Sequence, residues 1–293
     1  MSMTKNPCEN IIIGGNGFIG TYITELLTKS GNSSRIIDSH AHADSQAEQV
    51  AITIGPECND QELKSAIAGK RIFILVGQIK PDFNEDYELA ALKKLFSCVD
   101  FKMTRQIIYT SSALIYGDTK KPAVETDPIN PVDSYSRFKS KSEDLCKMYF
   151  NQKTGINLLI TRLSNVYGGV KNRGFIGLII NKSKNEIKPT IDINGDGKQT
   201  RDYIHVIDVA NAILSIAGNE VNDIVNVSFG ISWSLLEIID KFNNLSPNNI
   251  HTNIKGNLLN EVKQSRISNQ KLRDIYGYTP AISLDRGLEL SLL

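Results

Sequence analysis

The stretch "NIIIGGNGFIGTYITELLTKSG", Asn10 to Gly31, decides how the rest of the chain is read. Ile11, Ile12 and Ile13 form a short β-branched run of the kind that makes a buried strand. Gly14, Gly17 and Gly20 then form a GxxGxxG turn, and from Phe18 the apolar residues recur at helical spacing until Gly31 stops them. The order is strand, tight turn, helix. Side chains at the three glycines would block the turn, the approach of a pyrophosphate to backbone N–H groups, and close packing of helix on strand. In this context Gly14, Gly17, Phe18, Ile19 and Gly20 are expected to cradle a dinucleotide.

Further apolar runs follow at "SRIID", "VAITIG", "KRIFILVG", "RQIIYTSS" and "INLLITRLSNVYG", separated by stretches of helical length such as "NEDYELAALKKLFSCV". Strands alternating with helices imply parallel βαβ units, hence an α/β protein with a Rossmann-type doubly wound parallel sheet. After Gly168 the pattern loosens and turn residues cluster. The expected division is therefore a dinucleotide-binding domain over 1–167, to which 204–228 returns, and a smaller substrate-binding lobe over 168–203 and 229–293.

At 293 residues, 41% apolar and 22% charged with a formal charge of +1, the chain has the composition of a globular protein. That balance gives no general attraction to nucleic acid or membrane. The polar start "MSMTKNPCEN" lacks the apolar core of a signal peptide, so a cytoplasmic location is expected. Cys8, Cys58, Cys98 and Cys146 are scattered and the four histidines form no ligand run, so free thiols and no metal are expected; His40 and His42 read as a solvated loop.

Asp38 ends the second strand in "RIIDSH", 18 positions past Gly20. A carboxylate there accepts hydrogen bonds from both adenosine ribose hydroxyls and repels a 2′-phosphate, favouring NAD over NADP. Arg35 lies close enough in sequence to offer a phosphate site instead. Tyr135 and Lys139, four residues apart in "PVDSYSRFKSKSEDLCKMYF", share one helix face. That face continues through Phe138, Ser142, Leu145, Cys146 and Tyr149, with Ser136, Arg137, Lys141, Glu143, Asp144 and Lys147 on the other side. A lysine inside an apolar stripe must snorkel outward or point into a polar cavity, and a cofactor cleft supplies one. A neighbouring ammonium and a cationic nicotinamide both favour the phenolate of a tyrosine. Upstream, Thr110, Ser111 and Ser112 end a strand at the carboxyl edge of the sheet, where hydroxyls either cap the turn or bind a ligand oxygen.

"GGNGFIG", "SSALIYG", "YSRFK", "RLSNVYG" and "GDGKQTRDYIHVIDVANAI" occur in an order that resembles the extended short-chain dehydrogenase/reductase family, in its nucleotide-sugar epimerase and dehydratase branch. The resemblance implies NAD as cofactor and a nucleotide-diphosphate sugar as substrate. It makes Tyr135 the acid/base, Lys139 the holder of the nicotinamide ribose, and Ser112 the hydroxyl that orients the sugar oxygen, with Ser111 as substitute. It also makes Asn165 a substrate contact and Arg201 the grip on the diphosphate. It implies a homodimer formed through "NEDYELAALKKLFSCV" and the helix bearing Tyr135.

This chain departs from the family pattern at "ILVGQ" (Ile74 to Gln78), at "IGPEC", and at "LLNEV", where Leu258 stands at the position of a diphosphate-contacting arginine and Arg266 is the candidate substitute. The dehydratase branch usually carries Thr-Asp-Glu where this chain has Thr110, Ser111 and Ser112, so dehydration is disfavoured. A 4-epimerase and an NAD(P)H-dependent 4-ketosugar reductase are the two expected reactions, the epimerase first. A non-catalytic nucleotide-binding protein is the third reading.

Overall fold

The computed structural model describes residues 8–42, 47–77, 83–150, 154–169, 171–172, 174–219, 221–256 and 262–292. Its first half runs β1 (Cys8–Ile13), α1 (Phe18–Lys29), β2 (Ser34–Asp38), β3 (Glu48–Ala51), α2 (Asp60–Ala66), β4 (Gly69–Ile74), α3 (Glu85–Ser97), β5 (Gln106–Ser112), a 3₁₀ turn (Ala113–Tyr116) and α4 (Ser134–Tyr149). The remainder runs β6 (Asn157–Leu163), β7 (Asn165–Tyr167), α5 (Phe175–Asn185), β8 (Thr190–Ile193), β9 (Thr200–His205), α6 (Val206–Ala217), β10 (Asp223–Val227), β11 (Ser232–Ser234), α7 (Leu235–Leu245), β12 (His251–Ile254), β13 (Gln264–Ser265), α8 (Gln270–Asp274) and α9 (Leu284–Leu292).

Seven strands form the main sheet in the order β10-β6-β5-β4-β1-β2-β3. β1 pairs in parallel with β2 on one side and β4 on the other. Ile11, Ile12 and Ile13 are almost fully buried, as a strand covered on both faces requires. From β1 the chain steps outward to β2 and β3, then returns to the opposite flank of β1 as β4. This reversal creates a topological switch point at the carboxyl ends of β1 and β4, where open α/β sheets bind ligands. "VAITIG" forms its strand earlier than its apolar run suggests, over Glu48–Ala51 at the sheet edge.

The chain divides into two compact units. One comprises 1–111, 134–161 and 213–224; the other comprises 112–133, 162–212 and 225–293. The units are more interleaved than a division at 167/168. Residues 112–133 and 162–167 lie in the second unit, and of 204–228 only 213–224 lies in the first. The core of the first unit gathers Ile11, Ile13, Ile72, Ile74, Phe96, Phe150 and Ile160. Phe96 and Phe150 meet edge to face at 4.9 Å, a favoured aromatic geometry. The second unit packs Tyr167, Ile176, Ile193, Tyr203, Ile238, Phe242 and Leu288 together. β9 pairs there with β7, β11 and β13.

α4 departs from the expected pattern at Ser136 and Glu143, which are buried at 0% and 1% exposure. The reason is that α3 packs against α4 as well, so the helix is covered over more of its circumference than one apolar stripe indicates. Glu143 keeps an ion pair to Lys147 at 3.6 Å.

Candidate functional site

The glycine turn leads from β1 into α1 with Gly14 at φ 79°, a conformation that side chains strain. The Gly17 N–H donates to the Gly14 carbonyl at 3.0 Å, closing the turn. α1 starts at Phe18 with Gly17 at the cap position and no side chain capping the helix. Its first-turn N–H groups therefore carry the partial positive charge of a helix start without a competing side chain, the arrangement that accepts a phosphate. A Cβ on Gly20 would stand 2.6 Å from the Gly15 Cα and collide with the Gly14 carbonyl. The third glycine serves packing and the first serves the turn.

Asp38 lies beside this cradle. Asn16 donates its backbone N–H to one carboxylate oxygen at 3.0 Å, and Ser39 donates to the other at 2.8 Å. These bonds orient the carboxylate at the end of β2. His40 and His42 are exposed in the following loop, and the His40 carbonyl accepts from the Asn16 side chain at 2.6 Å. Arg35 points elsewhere: it is 2% exposed, its Nε is 2.8 Å from Glu48, and its Nη1 donates to the Ala66 carbonyl at 3.0 Å. It joins β2 to β3 and α2 and offers nothing to a 2′-phosphate. Arg35→Ala is accordingly expected to lower the unfolding free energy by about 2–3 kcal/mol, through lost packing and hydrogen bonds. Urea unfolding should register that loss, while NAD-over-NADP preference in a binding titration stays unchanged.

Tyr135 and Lys139 follow on α4, Tyr135 half-buried and Lys139 at 2% exposure. The Lys139 ammonium donates to the carbonyls of Val76 and Thr110, both at 2.9 Å. It lies 5.8 Å from the centre of the Tyr135 ring and 5.0 Å from that of Tyr109. Val76 follows β4, at the switch point, and Thr110 lies near the carboxyl end of β5. The glycine cradle and the lysine thus reach one edge of one sheet. Burial pulls Lys139 down to about 8, opposed by Cys146, Glu143 and Glu88. Gly77, in the stretch that departs from the family pattern, leaves room for the lysine, since a Cβ there would stand 2.9 Å from the Lys139 ammonium. Gln78 lies outside the described residues.

In the second unit Ser112 accepts from the Leu114 N–H at 3.2 Å, capping the 3₁₀ turn. Capping uses a lone pair of the hydroxyl and leaves its O–H able to donate. Ser111 Oγ is buried, with no hydrogen-bond partner. The 3₁₀ turn that Ser112 caps carries Tyr116 into a network that the sequence did not announce. Arg162 donates to the Tyr116 hydroxyl at 2.7 Å, Tyr116 donates to Asn226 at 2.9 Å, and the Asn226 N–H donates to Glu125 at 2.8 Å. Only the tyrosine of "SSALIYG" and the arginine of "RLSNVYG" hint at it.

Asn165 and Arg201 line one cavity of about 230 Å³, together with Tyr167, Phe175, Gln199, Tyr203 and others, all within the second unit. Asn165 donates to the Asp202 carbonyl at 3.2 Å, and Arg201 to the Thr200 carbonyl at 2.9 Å. Arg266 is not among the residues lining this cavity; its backbone N–H meets Thr119 at 2.7 Å. Leu258 lies outside the described residues. Asp202, next in sequence to Arg201, accepts from the Phe229 and Gly230 N–H groups at 3.0 and 2.7 Å.

Burial raises the Asp202 carboxyl to about 6, against the lowering effect of its hydrogen bonds. The folded protein therefore holds this proton more tightly than the unfolded chain. The contribution to stability is present below the ordinary carboxylate range and is lost as pH rises from about 4 through about 6. On this ground the wild type is expected to lose roughly 2–3 kcal/mol relative to Asp202→Asn across that window, measured by urea unfolding at pH 4 and pH 7.

Among the described residues no group of His, Cys, Asp and Glu is arranged to hold a metal, and no helix is long and apolar enough to cross a membrane. A doubly wound sheet, a glycine cradle on a bare helix start, and a carboxylate closing β2 define a dinucleotide-binding α/β protein. The chain belongs to the NAD dependent epimerase/dehydratase family, whose model matches residues 10–228. A putative UDP-glucose 4-epimerase of Methanocaldococcus jannaschii is 30% identical over 247 residues, covering 78% of this chain and 80% of that one. A dTDP-4-dehydro-6-deoxyglucose reductase of Escherichia coli is 30% identical over 200 residues, 63% of this chain and 59% of that one. In fold, the chain is similar to UDP-glucose 4-epimerase from Bifidobacterium longum in complex with NAD+ and UDP, with a TM-score of 0.86, 19% identity and 97% of each chain covered. NAD is the family's cofactor, and the cradle and Asp38 fit it: the glycines leave room for its diphosphate and the carboxylate suits an unphosphorylated ribose.

Proposed function

We propose that the protein is a nucleotide-sugar 4-epimerase that works by transient oxidation of the sugar. The observation that carries this reading is the buried Lys139 ammonium beside Tyr135, at the sheet edge that also holds the glycine cradle. NAD, when bound, supplies the hydride acceptor. The N–H groups of Phe18, Ile19 and Gly20 hold its diphosphate, Asp38 its adenosine ribose, and Lys139 its nicotinamide ribose. Tyr135 removes the proton of the sugar 4-hydroxyl and later returns it, while Lys139 stabilises the phenolate by its charge. Ser112 donates to the sugar oxygen. The 4-keto sugar turns over within the site, and its reduction back to the alcohol occurs on the other face.

The second unit is the substrate lobe in this reading. Arg201, whose planar fork suits phosphate oxygens, grips the diphosphate, and Asn165 contacts the substrate. A cavity of about 230 Å³ accommodates part of a nucleotide sugar, such as its nucleoside end. UDP is the expected nucleotide, by likeness to the relative from Methanocaldococcus jannaschii. The likeness to a reductase over 63% of the chain supports the alternative, a 4-ketosugar reductase using dissociable NAD(P)H. Pairing of two copies through α3 and α4 accords with apolar exposure on those helices, Tyr87 at 43% and Met148 at 60%.

Mass spectrometry of protein purified without added nucleotide separates the two readings. An epimerase is expected to carry NAD in near-stoichiometric amount. Protein that purifies empty and binds NADPH more tightly than NAD would favour the reductase.

A further inference from the structure

The Lys139 ammonium has three hydrogens. Two make 2.9 Å bonds to the Val76 and Thr110 carbonyls, and the third points to the Tyr109 hydroxyl at 3.4 Å. Tyr109 lies on β5, wholly buried, and plays no part in the function proposed above. An ammonium can only donate, so in this contact the tyrosine oxygen is the acceptor.

We propose that Tyr109 is a positioning residue for Lys139: its hydroxyl accepts the third ammonium hydrogen and holds it until a cofactor hydroxyl takes its place. The inference rests on the reading of Lys139 as the cofactor lysine. The two carbonyl bonds anchor Nζ, and the long third bond is the weakest, so it is the one that a ligand can replace at little cost. Without Tyr109 the ammonium would be buried with one hydrogen unmet, a condition that disfavours the charged form. The other groups that bear on Lys139 are Glu88 from α3, Glu143 and Cys146 from its own helix, and Tyr135. Glu88 and Glu143 favour the ammonium and are unaltered by a change at position 109. Burial keeps the Tyr109 hydroxyl protonated well beyond the ordinary tyrosine range, so it remains a neutral partner throughout the working range.

The test is the pH dependence of NAD binding by the full chain freed of nucleotide, measured calorimetrically from pH 6.5 to 9.5 for the wild type, Tyr109→Phe, Tyr109→Leu and Lys139→Met. Tyr109→Phe is expected to bind NAD within about twofold of wild type at pH 6.5 and about tenfold more weakly at pH 9, because its ammonium is lost earlier. Tyr109→Leu, which also lacks the hydroxyl, should shift the same way, and it decides the matter if Tyr109→Phe does not fold. A pH dependence identical to wild type, or a loss of affinity equal at all pH values, would overturn the proposal. Lys139→Met separates the two readings. If it leaves NAD binding intact, the cofactor role of Lys139 fails; if it weakens binding while Tyr109→Phe and Tyr109→Leu leave the pH dependence unchanged, only the role of Tyr109 fails.

Discussion

Tyr135→Phe is expected to lower kcat by about 10²–10⁴-fold, the usual contribution of a positioned acid/base, while NAD content and thermal stability stay close to wild type. Phenylalanine keeps the ring that packs against the core of the first unit and removes only the oxygen. A loss of activity without a loss of cofactor would therefore mark the hydroxyl as the proton carrier. Unchanged turnover would reduce Tyr135 to a packing residue. The same variant leaves the Lys139 bonds to Val76 and Thr110 in place, so its effect reports on the tyrosine alone.

The second large effect is expected at Gly20. An added Cβ meets the Gly14 carbonyl and the Gly15 Cα, both backbone, so no side-chain rotation relieves it. Either α1 moves away from β1 or the turn opens, and both displace the N–H groups proposed to hold the diphosphate. Overpacking of this kind costs about 1–3 kcal/mol. Gly20→Ala should thus lower the Tm by several degrees and weaken NAD binding by at least about 100-fold, as read by calorimetry. Retention of wild-type affinity would mean that the diphosphate is held elsewhere.

What the sequence disclosed and what it hid follow from how local each constraint is. The strand, turn and helix around Gly14, Gly17 and Gly20 are dictated within a dozen neighbouring residues, and the structure places them in β1 and α1. Lys139 is legible because four-residue spacing sets it inside an apolar stripe. The burial of Ser136 and Glu143 is not, because it depends on α3 packing from a second side. β9 escapes notice because two of its buried positions are Asp202 and His205, polar residues that break the apolar signal of a strand. The direction of Arg35 is set by Glu48, an exposed acid on β3 that sequence alone does not connect to it. Tyr109 looks like any aromatic strand residue, and only the folded chain brings its hydroxyl to the lysine.

Likeness to an epimerase and to a reductase leaves the fate of the hydride as the central question. It is addressed most directly by supplying purified protein, with only the NAD it carries, with a panel of UDP-hexoses and following the sugar products by NMR. The epimerase account predicts interconversion of 4-epimers with no added NADH or NADPH and no net change in cofactor redox state. Turnover only of 4-keto sugars, with one NAD(P)H consumed per product, would contradict it.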